Sequence, residues 1–161
     1  MLPFEKLIIK EKKMNIIVTY KSKTGFTKKY AQWIAEDLGC KAVSLSELSR
    51  VSEYDVVIHG GWIMGGTING FEEIKKRNPK KLIVFGVGST IDANYVDTIK
   101  EVNKITDIPV YYFKGGMNPE KMGFFSKLIV KMVSKEKPQY KDLTDKASIE
   151  GLVSYVKSLD K

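Results

Sequence analysis

The stretch Thr19-Tyr20-Lys21-Ser22-Lys23-Thr24-Gly25-Phe26-Thr27 decides how the rest of the chain is read. The apolar run Ile16-Ile17-Val18 leads into it, and a helix-like run from Lys28 to Leu38 leads out. Three hydroxyls and one glycine occupy the turn. Small side chains, hydroxyl donors and the free amides of a first helical turn suit a phosphate, and the helix dipole favours an anion at that end.

Outward from this turn, strand-like and helix-like runs alternate. Asn15–Tyr20 reads as a buried strand and Thr27–Leu38 as a helix with Tyr30, Ile34 and Leu38 on one face, stopped by Gly39. Further strands are expected at Lys41–Leu45, Asp55–His59, Lys81–Val87 and Pro109–Phe113. Helices are expected at Phe71–Arg77, Asn94–Lys104, Met122–Val133 and Ala147–Leu159. Apolar strands separated by helices imply a parallel sheet covered on both faces. Five strands with right-handed crossovers give a three-layer α/β sandwich of order 2-1-3-4-5. A ligand in such a sheet sits beyond the carboxyl ends of strands 1 and 3, where the winding reverses. The opening turn lies there, and so does Gly60-Gly61-Trp62-Ile63-Met64-Gly65-Gly66.

Composition bounds the function classes. A chain of 161 residues with 43% apolar content fits one domain with a real core. Residues 14–161 form that domain, and residues 1–13 read as an N-terminal extension without the apolar core of a secretory signal. No run approaches the roughly 20 apolar residues of a membrane span. One cysteine, Cys40, excludes an intrachain disulfide, and one histidine, His59, excludes a His-rich metal site. Neither a metal site nor a catalytic acid–base residue is expected. A reducing cytoplasm is the simplest compartment. His59 ends a buried strand and reads as a core residue; Cys40 reads as a small apolar filler. The formal charge of +8 points to an acidic partner or an anionic surface. Seven lysines between Lys114 and Lys141 stand against Glu120 and Glu136. No recognition motif supports specific nucleic-acid binding.

The phosphate is neither a triphosphate nor a dinucleotide. The turn lacks Gly-x-x-x-x-Gly-Lys-Ser/Thr, and no Gly-x-Gly-x-x-Gly follows the first strand. A single phosphate held by hydroxyls fits a mononucleotide. Ser22-Lys23-Thr24-Gly25-Phe26-Thr27 resembles the FMN-phosphate loop of flavodoxins, Ser/Thr-x-Thr-Gly-x-Thr. Gly61 to Gly66 and Phe85-Gly86-Val87-Gly88 resemble that family's two ring-binding loops. The resemblance covers about Met14 to Lys161 and implies FMN as cofactor. The site residues it implies are Ser22, Lys23, Thr24, Gly25, Phe26 and Thr27 for the phosphate. Gly61, Trp62, Ile63, Met64, Gly65, Gly66, Val87, Gly88 and Ser89 would flank the ring. Ser89 stands where flavodoxins usually carry an acid, and Tyr95 falls two residues beyond their usual stacking tyrosine. The chain is basic where they are typically acidic.

Phe113-Lys114-Gly115-Gly116 and Met122–Met132 are similar to flavodoxin-type, menaquinone-dependent protoporphyrinogen oxidases. That likeness implies redox chemistry on a porphyrinogen- or quinone-type small molecule. The alternative is a one-electron carrier docking on an acidic redox partner protein. It also implies peripheral contact with the inner membrane face through residues 121–135. The same segment has a second reading, as a helix covering the sheet with lysines 127, 131 and 135 in solvent.

Overall fold

The computed structural model describes residues 13–160 apart from 91, 93, 122 and 135–138. The extension read at residues 1–13 and the lysines 135 and 137 therefore lie almost wholly outside the described residues. The chain runs β1 (Ile16–Lys21), α1 (Phe26–Leu38), β2 (Lys41–Ser44), β3 (Val56–Met64), β4 (Thr67–Ile68), α2 (Phe71–Lys76) and β5 (Leu82–Gly88). It continues through α3 (Tyr95–Val102), β6 (Val110–Lys114), β7 (Gly116–Met117), α4 (Phe124–Ser134), β8 (Lys141–Asp142) and α5 (Glu150–Ser158). Short 3-10 turns at Leu45–Glu47, Val51–Glu53, Pro119–Lys121 and Lys146–Ile149 fill the connections.

The main sheet has the order β2-β1-β3-β5-β6, all pairs parallel. This is the five-stranded 2-1-3-4-5 order expected from the alternation of strands and helices. The central strands carry apolar residues on both faces, so both faces must be covered. One face packs Val18, Ile58, Ile83, Phe85 and Phe113 against Tyr30, Ile34 of α1 and Leu152, Val156 of α5. The other packs Ile17, Val57 and Val84 against Phe71, Ile74 of α2 and Ile99 of α3, with Leu45, Leu48 and Val51 from the 3-10 turns.

Two departures from the expected elements matter for the site. The third strand does not stop at His59. It runs on to Met64 and folds back through Gly65-Gly66 into β4, with Met64 paired to Thr67. Gly65 and Gly66 have φ of 58° and 85°, the two positive values that a two-residue type I′ hairpin requires. The segment expected to be an irregular loop is therefore a hairpin. Its glycines are set by turn geometry.

The second departure concerns α4. It is not the helix that covers the sheet. That place is taken by α5, whose Leu152, Val153 and Val156 are buried. The segment from β7 to β8 is an excursion between β6 and α5, closed at its base by the antiparallel β7–β8 pair. Leu128, Ile129 and Met132 of α4 are exposed at 42%, 47% and 71%.

Candidate functional site

The opening turn joins β1 to α1 at the switch point. Lys21 of β1 pairs with Gly61 of β3, the last β1–β3 pair. The Ser22 hydroxyl accepts the Gly25 amide at 3.1 Å, which holds the turn. Gly25 is the N-cap of α1, with φ of 97°, a left-handed conformation that glycine adopts without penalty. The first helical bond runs from the Lys29 amide to the Gly25 carbonyl, 3.0 Å.

No side chain caps α1, and its first turn holds no acidic residue. α2 starts with Glu72 and Glu73, α3 with Asp97 and α5 with Glu150, whereas α4, like α1, has no acid in its first turn. A helix start normally attracts a carboxylate because its orphan amides and dipole are positive. At α1 no side chain of the first turn fills that role, and the helix start opens into a cleft. Thr24, Phe26 and Thr27 line a cleft at this helix start, with Thr27 only 2% exposed.

The remaining walls of the cleft are Trp62 and Ile63 from β3, Val87, Gly88 and Ser89 from β5, and Gly115 and Gly116 after β6. Four chain segments that are far apart in sequence thus meet at the carboxyl ends of β1, β3, β5 and β6. The Lys23 ammonium lies 5.6 Å from the Trp62 ring centre, tying the turn to the indole. The enclosed volume is ≈ 160 Å³. Whole-ligand sites usually enclose about 300–1,000 Å³. The cleft is therefore smaller than a site that encloses a whole ligand.

Not every residue expected at the site arrives there. Met64 is 62% exposed at the hairpin tip. Nothing lies within 4 Å of where a Gly65 side chain would begin, and Gly66 packs instead against Val102 of α3. Gly61 is needed for a different close approach: a Cβ there would lie 2.1 Å from the Asn69 carbonyl oxygen. Ser22 and Gly25 shape the turn rather than wall the cleft. Tyr95 packs edge-on against Tyr112, ring centres 4.9 Å apart.

Other functional residues were not singled out from sequence. Gly115 and Gly116 close the cleft, and the Gly115 amide donates to the Gly88 carbonyl at 2.7 Å. Their only sequence signal was the Lys-Gly-Gly run after the last sheet strand.

The hairpin that carries Trp62 is anchored by buried polar groups. The Asn69 amide donates to the Trp62 carbonyl at 3.0 Å. The Asn69 carbonyl lies 2.9 Å from His59 Nε2. A carbonyl only accepts, so Nε2 carries the proton. Nδ1 then accepts the Thr19 hydroxyl, 2.9 Å away. Burial lowers the His59 pKa to about 4, so the ring is neutral. His59 positions the hairpin and has no part in proton transfer at the cleft. Asn103 supplies a second latch: its Nδ2 donates to the Gly66 and Ile99 carbonyls at 2.8 and 2.7 Å, and its Oδ1 accepts the Ile68 amide at 3.2 Å.

Larger cavities exist among the described residues: one of ≈ 270 Å³ is lined by Pro79 and Ile108, and two more bear on the choice of site. One of ≈ 480 Å³, between Asn15, Cys40 and Tyr54, opens at the amino ends of the strands. Ligands of open α/β sheets do not bind at that end. The Cys40 thiol there is pushed up to about 11 by burial and is unreactive. The other, ≈ 390 Å³, adjoins the cleft beyond Thr90 and Lys114, with Tyr95 and Tyr112 in its wall. Among the described residues no cluster of His, Cys, Asp and Glu could hold a metal ion, and no helix is long and apolar enough to cross a membrane.

The geometry is that of an uncapped helix start opening into a narrow cleft at the carboxyl ends of the strands of a 2-1-3-4-5 sheet. Residues 17–144 match the family model described as Flavodoxin domain, and the chain belongs to that family. No relative among curated proteins matches. Among solved structures, a flavodoxin from the domain Archaea is similar at 15% identity, with a TM-score of 0.49 over 76% of this chain and 98% of that one. A candidate flavoprotein from Bacteroides uniformis is similar at 15% identity, with a TM-score of 0.50 over 78% of this chain and 100% of that one. A Fusobacterium nucleatum flavodoxin bound to flavin mononucleotide is similar at 16% identity, with a TM-score of 0.41 over 63% of this chain and 71% of that one. At this identity the likeness to the Bacteroides uniformis protein speaks to the fold alone.

Proposed function

We propose that this flavodoxin-family chain binds FMN in the cleft between Thr24–Thr27, Trp62–Ile63 and Val87–Ser89 and works in redox transfer. The observation that carries this reading is the start of α1, which has no side-chain cap and no acid and opens into the cleft. A dianionic phosphate there would accept bonds from the first-turn amides and from the hydroxyls of Thr24 and Thr27. Ser22 would hold the turn. Trp62 would offer its indole to the ring, and the backbone of Gly88 and Gly115–Gly116 would allow close approach on the other side. Bound FMN supplies the electron-transfer chemistry; the protein supplies binding, orientation and electrostatics. Among the described residues the cleft lining itself holds hydroxyls, apolar groups and glycines.

Oxidation of a porphyrinogen- or quinone-type small molecule is the narrower form of this reading. It rests on the likeness of Phe113–Gly116 and Met122–Met132 to the protoporphyrinogen oxidases. Service as a one-electron carrier to a redox protein is its alternative. Turnover of a porphyrinogen with a quinone acceptor separates the two.

Protein purified without added flavin should show a flavin spectrum that dithionite bleaches and air restores. Thr27→Val should weaken FMN binding about 10- to 100-fold, as expected for loss of one hydrogen bond to a charged group. A colourless protein that also fails to quench FMN fluorescence would overturn the reading.

A further inference from the structure

The wall of the cleft formed by Gly115 and Gly116 is held from α1, the helix whose start opens into the same cleft. Phe26 and Tyr30 stand one turn apart on one face of that helix. A Cβ on Gly116 would lie 3.0 Å from the Phe26 ring and 2.0 Å from the Lys141 carbonyl oxygen, and one on Gly115 would lie 2.7 Å from the Val87 side chain. The two glycines are thus wedged between α1, β5 and β8. One turn further along α1, the buried Tyr30 ring stacks on Phe113, ring centres 5.0 Å apart, and packs edge-on against Trp33. These contacts aim its hydroxyl at the base of the excursion. The hydroxyl donates to the Lys114 carbonyl and accepts the Asp145 amide at 3.0 Å. One side chain therefore bonds the chain both where it leaves β6 and where it comes back from β8.

The bonds continue from there into the cleft. The Gly115 amide donates to the Gly88 carbonyl at 2.7 Å, and the Gly115 carbonyl accepts the Leu143 amide at 2.8 Å. Packing does not hold this base from its other side. Lys114 and Asp145 border the ≈ 390 Å³ cavity, together with Tyr30 itself. Backbone that borders open space keeps its place through directed bonds, and a buried hydroxyl serving two backbone groups is costly to lose. Burial raises the Tyr30 pKa above its ordinary 10, so the hydroxyl keeps the proton that it donates. A buried tyrosine finds a hydrogen-bond partner in any fold. What sets this one apart is where its partners lie: one residue from Gly115 and two from Leu143, the pair that carries the wall.

We infer that Tyr30 is a positioning residue for the cleft: its hydroxyl fixes the Gly115–Gly116 wall to α1, so that one helix sets both the anion-receiving start and that wall. That the wall meets a flavin ring rests on the function proposed above; that Tyr30 fixes the wall does not. Loss of the hydroxyl acts on the ring half of the site and leaves the phosphate half as it is.

Tyr30→Phe keeps the stacked ring and removes only the hydroxyl. Amide hydrogen exchange of the flavin-free protein, followed by NMR, reads the wall directly. The Gly115 and Leu143 amides keep their own acceptors in this variant, so they exchange faster only if the wall moves. An increase of about 10-fold is expected at both, with the Ile68 and Asn69 amides of the hairpin unchanged. Affinities for FMN and for riboflavin, followed by flavin fluorescence, should both fall about 3- to 10-fold, as expected for one hydrogen bond. Thr27→Val should weaken FMN binding alone. Unchanged exchange at Gly115 and Leu143 would overturn the proposal, and so would equal acceleration at Ile68 and Asn69, which marks a merely looser fold. A loss confined to FMN would overturn it too, by placing the effect at the phosphate. If the parent protein binds neither flavin, the function proposed above fails, while the exchange rates still support or overturn the role of Tyr30.

Discussion

The two excursions beside the cleft, the β3–β4 hairpin and the β7–β8 neck, stand at equivalent places and differ in how much of their anchoring lies at the surface. Both leave the carboxyl end of a sheet strand and return to the body after an antiparallel pair. The hairpin is fastened from within. His59 and Asn103, 0% and 7% exposed, bond its backbone, and Ile68 is buried beneath it. The neck is fastened inside by the buried Tyr30 hydroxyl, which donates to the Lys114 carbonyl and accepts the Asp145 amide at 3.0 Å, and outside by the Lys29–Asp142 pair and the Thr144 hydroxyl; beyond these it carries exposed apolar groups outward. Buried polar bonds fix a geometry because leaving one unmade is costly, whereas a surface ion pair contributes little. The hairpin side is thus built to fix Trp62 in the wall of the cleft. The neck side is so fixed at its base by Tyr30 and beyond it presents a surface.

The largest effect that could break this contrast lies on the hairpin side. Gly61→Ala places a methyl against the Asn69 carbonyl, a backbone atom that cannot step aside. It should lower unfolding stability by about 3 kcal/mol or more and weaken FMN binding with it. Urea unfolding with a parallel FMN titration reads both. An unchanged midpoint would show that the hairpin is not clamped.

Acid should release the same clamp. His59 has a folded pKa of about 4, below its ordinary 6.5. Its contribution is fully present above about pH 6.5 and is lost as pH falls toward about 4, roughly 3 kcal/mol in all. As the chain has one histidine, its ring resonances in an NMR titration report this directly. Titration near pH 6.5 in the folded protein would refute the neutral, doubly bonded ring.

The neck should respond least. Lys29 and Thr144 hold the Asp142 carboxyl at about 2, below its ordinary 3.8, so its contribution is present above about pH 3.8 and fades as pH falls through 2. The pair is solvent-exposed, and Asp142→Asn should cost under about 1 kcal/mol at neutral pH. A loss matching that of Gly61→Ala would erase the distinction between the two excursions.

Much of this layout was legible in the sequence because the relevant signals are local. The β1 turn announces itself by its hydroxyls and Gly25, and runs such as Val56-Val57-Ile58 and Leu82-Ile83-Val84 can only be buried strands. What was not legible depends on contacts across the chain. Gly60 to Gly66 read as a ligand loop because nothing local reveals that Gly61 faces Asn69, or that Met64 pairs with Thr67. Gly65-Gly66 is itself the signature of a hairpin turn, but β4 is only two residues long and has too little pattern to show. The amphipathic pattern of α4 matches a core helix. Only the position of α5 on the sheet shows that α4 does not cover it. Gly115 and Gly116 enter the site through the path of the excursion, which no spacing rule predicts.

The central claim is that the uncapped start of α1 holds a phosphate and that the cleft beside it holds a flavin. Titration of the flavin-free protein with FMN and with riboflavin, followed by flavin fluorescence, separates the two halves of that claim. FMN should bind at least about 100-fold more tightly than riboflavin, the difference being the charged hydrogen bonds to the phosphate. Equal affinity for the two would contradict the phosphate site at Thr24–Thr27.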